Sequence, residues 1–170
     1  MPDESLTPES LGRLQDAFER ALELASRERE AFLATLDATT TLTTVAHQLE
    51  SAPDPGAALL EFLTVAADQR QQHDLTFLQS VSDHHPTVTA LRDELHTRLG
   101  TLVHRARAAG AIRDDITETD VFLMMCAPVH IVENLSTPKP LLWQRYLAII
   151  FDGLRPQGAH PLPQPAPQLS

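Results

Sequence analysis

The chain carries eight histidines, one cysteine and 23 aspartates and glutamates, the side chains from which metal centres and acid–base catalysts are assembled. Their spacing decides what they can do. A metal ion needs three or four converging ligands. His84 and His85 are adjacent ahead of Pro86, so both cannot easily face inward. His96 and His104 share a helical face but lie two turns apart, and His130 and Glu133 form an i, i+3 pair. These histidines read as solvated or singly hydrogen-bonded groups, with His130 read as a hydrogen-bonded interior residue because its neighbours are apolar. No metal and no other cofactor is assigned. Nucleophilic catalysis has no pattern either. There is no Gly-x-Ser-x-Gly elbow, no His-Glu-x-x-His pair, no phosphate loop and no spaced cysteine pair,. The sequence points away from an enzyme.

What remains is the chemistry of contact. Phe62, His73, Phe77, Leu99, Val103, Phe122, Met125 and Cys126 are placed to line a ligand pocket between helices. The Met124-Met125-Cys126 stretch suits an adaptable apolar pocket, since its sulfur-bearing side chains are soft and conform to a guest. It suits plain core packing equally well. Residues 121–132 and 141–151 are apolar around their circumference, and such helices must be covered on more than one side. The second is also the last helix, which leaves it at the edge of a bundle. A second copy of the chain covers both most simply, in a four-helix interface of two-fold type. The residues expected there are Val129, Val132, Trp143, Tyr146, Leu147, Ile150 and Leu154, with Trp and Tyr favoured at buried interface cores. Packing within one chain is the alternative.

The elements that position these residues are helical. Thr7-Pro8-Glu9 and Asp54-Pro55 each place a capping residue before a proline at the first helical position,. A helical period runs from Leu11 through Leu36, and Leu42, Val45, Ala46 and Leu49 keep it across a Thr-rich stretch where propensity is weak,. Breaks near 25–28 or 37–44 are open. A helix is expected over 55–80, then a seam of Val88, Leu91, Leu95, Leu99, Leu102, Ala106 and Ala109,. Gly110 is suited to end that helix in the left-handed conformation. Thr117 caps the next, with Asp120 three residues on,, and Pro128 interrupts its backbone bonding.

At 170 residues the chain is long enough for one domain with a real core,. The formal charge is −10, with one lysine, Lys139, and twelve arginines spread along the sequence. Residues 1–50 hold four arginines and ten acids, the reverse of the basic patch that phosphate neutralisation requires. The single Cys126 excludes an internal disulfide, and the longest apolar run, 121–129, is too short to span a bilayer,. A reducing, cytoplasmic setting without membrane contact is the expectation.

Two stretches carry a family resemblance. Residues 102–121, with Ala109-Gly110-Ala111-Ile112-Arg113-Asp114-Asp115 followed by Thr117-Glu118-Thr119-Asp120-Val121, resemble the passage into the penultimate helix of TetR-family transcriptional regulators. Residues 143–156, from Trp143-Gln144-Arg145-Tyr146-Leu147 to Asp152-Gly153-Leu154-Arg155-Pro156, are similar to that family's final helix. The Asp54-Pro55-Gly56 start also fits. The resemblance implies an all-α bundle of about six to seven helices like the TetR regulatory domain. In that family the last two helices form a dimer interface and the central helices enclose a small-molecule pocket. The family's N-terminal helix-turn-helix motifs are not found here. Arg29-Glu30-Ala31-Phe32-Leu33 is similar to the connecting helix that follows that module, and the 28 residues before it are acidic.

Three segments are therefore expected. Residues 1–44 form an acidic helical segment with no recognisable helix-turn-helix, 45–156 a TetR-like ligand-binding and dimerisation domain, and 157–170 a disordered tail rich in Pro and Gln,. The implied function is sensing of a small apolar or amphipathic effector by a homodimer, or by a heterodimer with a full-length TetR-like protein, without DNA binding of its own. Two alternatives stay open. One is a divergent repressor with unrecognised N-terminal DNA contacts. The other is a ligand-free protein-interaction module.

Overall fold

The computed structural model describes residues 26–72, 86–125, 127–133, 141–157 and 159–166, with residues 12, 15 and 139. Among the described residues there are six long or short helices and no strand. They are α1 (Ser26–Leu49), α2 (Pro55–Gln72), α3 (Pro86–Ala108), α4 (Glu118–Met124), α5 (Ala127–Glu133) and α6 (Leu142–Leu154). The chain is all-α, as its periodicity implied.

The helix ends follow the local chemistry. Asp54 Oδ1 accepts the backbone N–H groups of Gly56 and Ala57, each at 3.0 Å, so the cap lies one residue before Pro55,. Gly110 takes φ +65 and stops the α3 segment,. Thr117 and Asp120 close a full capping box at the start of α4,. α1 runs unbroken through the threonines. Thr39 and Thr43 donate their hydroxyls to the Thr35 and Thr39 carbonyls at 2.7 and 2.9 Å, so Thr39 and Thr43 bury with their hydroxyl donors met,.

Residues 121–132, read from sequence as one helix, form two. α4 stops at Met124 and α5 begins at Ala127. The cause is Pro128, whose ring meets the carbonyl four residues back, that of Met124, and which has no N–H to donate to it. The helix expected over 55–80 is described as far as Gln72, and positions 73–80 lie outside the described residues.

α2 sits at the centre, against α1, α3, α5 and α6. One end of the bundle gathers several termini. Arg105, near the end of α3, donates to the Leu49 and Ala52 carbonyls in the turn between α1 and α2. Gly56 lies so close to Ala111 that a Cβ there would meet the Ala111 Cβ at 2.9 Å. The Arg113 N–H donates to the Leu154 carbonyl at 2.8 Å. At this basal end α2 begins while α3 and α6 finish, so α2 runs antiparallel to both.

Candidate functional site

The expected pocket residues divide into three groups. Phe62, Leu99 and Val103 are wholly buried and Met125 nearly so, all within one continuous core cluster. Phe122 is partly buried against that cluster, its ring edge-on to His96 with centroids 5.9 Å apart. His73, Phe77 and Cys126 lie outside the described residues. α2 contributes Phe62 through its Leu59, Phe62, Leu63, Ala66 face, and α3 contributes Leu99 and Val103.

The expected dimer residues also divide by burial. Val129, Trp143, Leu147 and Leu154 are covered within the single chain, joining the same core cluster. Val132, Tyr146 and Ile150 remain partly exposed. Successive helical residues are rotated by about 100°, so the apolar surface of α6 divides into two adjoining stripes. Trp143, Leu147, Phe151 and Leu154 face inward, while Leu142, Tyr146, Ile149 and Ile150 follow on the next arc. Other large apolar side chains are exposed on α4, on α5 and just before α6. Leu141 is 68% exposed, Ile149 53%, Leu123 52% and Ile131 42%. Leu123, Ile131, Leu141 and Ile149 were missed by the sequence reading, although the two-stripe phase of α6 was there to find Ile149. His130, expected inside, lies at the surface.

Polar chemistry concentrates elsewhere. Arg98 of α3 bridges Glu94 and Glu50 at 3.0 Å each and also meets His47 Nδ1 at 2.9 Å. Hydrogen bonding to Glu94, ahead of the opposing effect of burial, raises the guanidinium above its ordinary value. At the basal end Arg113 grips both carboxylate oxygens of Asp115 and also donates to the His160 carbonyl. That hydrogen bond holds the Asp115 carboxyl below its ordinary value. A cleft of about 590 Å³ opens there, lined in part by Arg107, Arg113, Asp115, His160 and Pro161. Neither Phe62 nor Leu99 lines it. Residues 159–166 carry no helix or strand.

Among the described residues no three His, Cys, Asp or Glu side chains are grouped to hold a metal ion. His96 is half-buried and His104 exposed, so the pair does not share an environment. Among the described residues no helix is long and apolar enough to cross a membrane. Among the described residues, three shielded polar atoms lack a hydrogen-bond partner: Gln69 Oε1, His96 Nε2 and Trp143 Nε1. Sequence reasoning did not single out Gln69, and it placed Trp143 on the outer face.

No curated protein matches the chain. The family described as transcriptional regulator SbtR-like, C-terminal domain, matches residues 54–156, from the cap of α2 to just past the end of α6. That span holds α2 to α6 and most of the core cluster, which Leu42 and Ala46 of α1 complete, and the chain belongs to this family of TetR-type transcriptional regulators through its C-terminal regulatory domain.

Proposed function

We propose that this domain senses a small apolar or amphipathic molecule and works as a homodimer paired through the outer stripe of α6 with α4 and α5. The observation that carries the reading is that stripe. Leu141, Ile149, Leu123 and Ile131 expose apolar side chains on the last three helices, beside a buried face that already satisfies the chain's own core. We read these exposed apolar side chains as one association surface, and pairing it with its own copy closes the assembly by two-fold symmetry. The sensing half of the proposal rests on the core between α2, α3 and α4, where Phe62, Leu99, Phe122 and Met125 converge from different helices. DNA reading is not assigned to this chain, because residues 1–50 are net acidic and duplex affinity is driven by phosphate neutralisation.

Thermal denaturation against a panel of small apolar and amphipathic compounds tests the sensing half. A ligand that binds the native state at a hundred times its Kd stabilises it by about 2.7 kcal/mol, so binders shift the melting temperature upward. A flat response across the panel contradicts sensing. Duplex DNA binding at low salt contradicts the assignment of DNA reading elsewhere.

A further inference from the structure

Residues 159–166 follow α6 without helix or strand, and nearly all of them are exposed. Among the described residues, one hydrogen bond ties this segment to the bundle: Arg113 donates Nη2 to the His160 carbonyl. The Ala159 N–H closes only a local turn, on the Pro156 carbonyl at 3.2 Å. Arg113 also donates its backbone N–H to the Leu154 carbonyl at 2.8 Å, so one residue grips the chain on both sides of Pro156. Asp115 aims that grip. Its two carboxylate oxygens accept from Nε and Nη2 at 2.5 and 2.7 Å, which fixes the plane of the guanidinium. Nη2 carries two N–H groups, one spent on Asp115 and one on His160. The Arg113 side chain is only 11% exposed.

The docked segment builds the basal cleft. Pro156, Ala159, His160 and Pro161 line it from one side, and residues 107–115, Arg107 and Ile112 among them, from the other. We infer that residues 156–161 are a latched strap, with Arg113 as the latch and Asp115 as the residue that positions it, and that the strap is the movable wall of the cleft. Two features keep docking and release in balance. The latch is a hydrogen bond from an ionised donor, roughly twice as strong as a neutral one, and prolines at 156, 161, 163 and 165 restrict the free segment, so docking forfeits less chain entropy. Against this, a segment that is exposed along its length and held at one point opens readily. Docked, the strap closes one side of the cleft; released, it leaves the Arg107 side open to solvent. A molecule touching both walls binds the docked state better and so draws the strap shut. The inference is independent of the sensing and dimer readings above.

Backbone ¹⁵N relaxation of the full chain tests the strap, because order on the ps–ns scale separates a docked amide from a free one. The Ala159 and His160 amides are expected to show heteronuclear NOE values close to those of α6 in the native chain. Arg113→Gln is expected to lose that order at both amides while the α6 values stay unchanged. Asp115→Asn, which alters no group in contact with the strap, is expected to lose part of it, since the carboxamide cannot hold the guanidinium by two charged oxygens. If Arg113→Gln does not fold, Asp115→Asn carries the test. Values near zero at His160 in the native chain, as in the disordered tail expected from composition, overturn the strap. Unchanged order at His160 in Arg113→Gln overturns the latch. Full order in Asp115→Asn beside loss in Arg113→Gln overturns the positioning role of Asp115.

Discussion

At the scale of single residues, the firmest chemistry lies at the basal end, in the Arg105 and Arg113 contacts. Arg105 supplies donors to the Leu49 and Ala52 carbonyls, acceptors that a helix terminus otherwise leaves unmet. Arg105→Leu is expected to cost about 1–2 kcal/mol in urea denaturation, and Arg105→Lys to recover only part of it, because an ammonium lacks the two-pronged reach. Arg113 lowers the Asp115 carboxyl from its ordinary 3.8. A carboxyl depressed in the folded state contributes stability above its unfolded value, and that contribution is lost as pH falls through the folded value. The Asp115 side-chain carbon signal is therefore expected to titrate below 3.8 in the native chain, and to return toward that value in Arg113→Gln; an unchanged midpoint would show that the pair is not formed in solution. At this scale the sequence was only partly legible. Arg113 and Asp115 stood inside a recognisable motif, but the reach of Arg113 to His160, 47 positions away, leaves no trace in local spacing.

At the scale of elements, caps and breakers were legible because their chemistry is local. Asp54, Gly110 and Thr117 act where their side chains or backbone freedom predict. Pro128 was read as an interruption, yet its consequence is stronger than a kink, since it separates α4 from α5. The faces of α6 were less legible. Its run of apolar residues hides which stripe meets the chain's own core, because that depends on where α2 and α5 lie rather than on α6 itself. Two glycines test the packing between elements. Gly56→Val is expected to destabilise the fold by about 1–3 kcal/mol through overpacking, since even its Cβ would press on Ala111 at 2.9 Å. Gly100→Ala, whose Cβ would meet Glu118 only at 4.0 Å, is expected to stabilise by about 0.5–1 kcal/mol. Thermal or urea denaturation of the two variants checks both signs together.

At the scale of the whole molecule, the family membership was legible from two ordered motifs and the Asp54-Pro55 start, and the matched span, 54–156, coincides closely with them. What the sequence left open was how one apolar surface is shared between a monomer's interior and a partner. The core already claims Trp143, Leu147, Phe151 and Leu154, so the proposed association must use Tyr146, Ile149 and Ile150 with Leu123, Ile131 and Leu141. Ile149→Glu places a charge on that outer stripe without touching the core. It is expected to leave the helical content and the melting cooperativity of the chain intact while abolishing association, since an unpaired charge in a desolvated interface is strongly unfavourable. Sedimentation equilibrium at tens of micromolar compares the two proteins directly. The account predicts twice the 18.8 kDa chain mass for the native protein and a folded 18.8 kDa species for Ile149→Glu; a native protein that sediments as a single 18.8 kDa chain would contradict it.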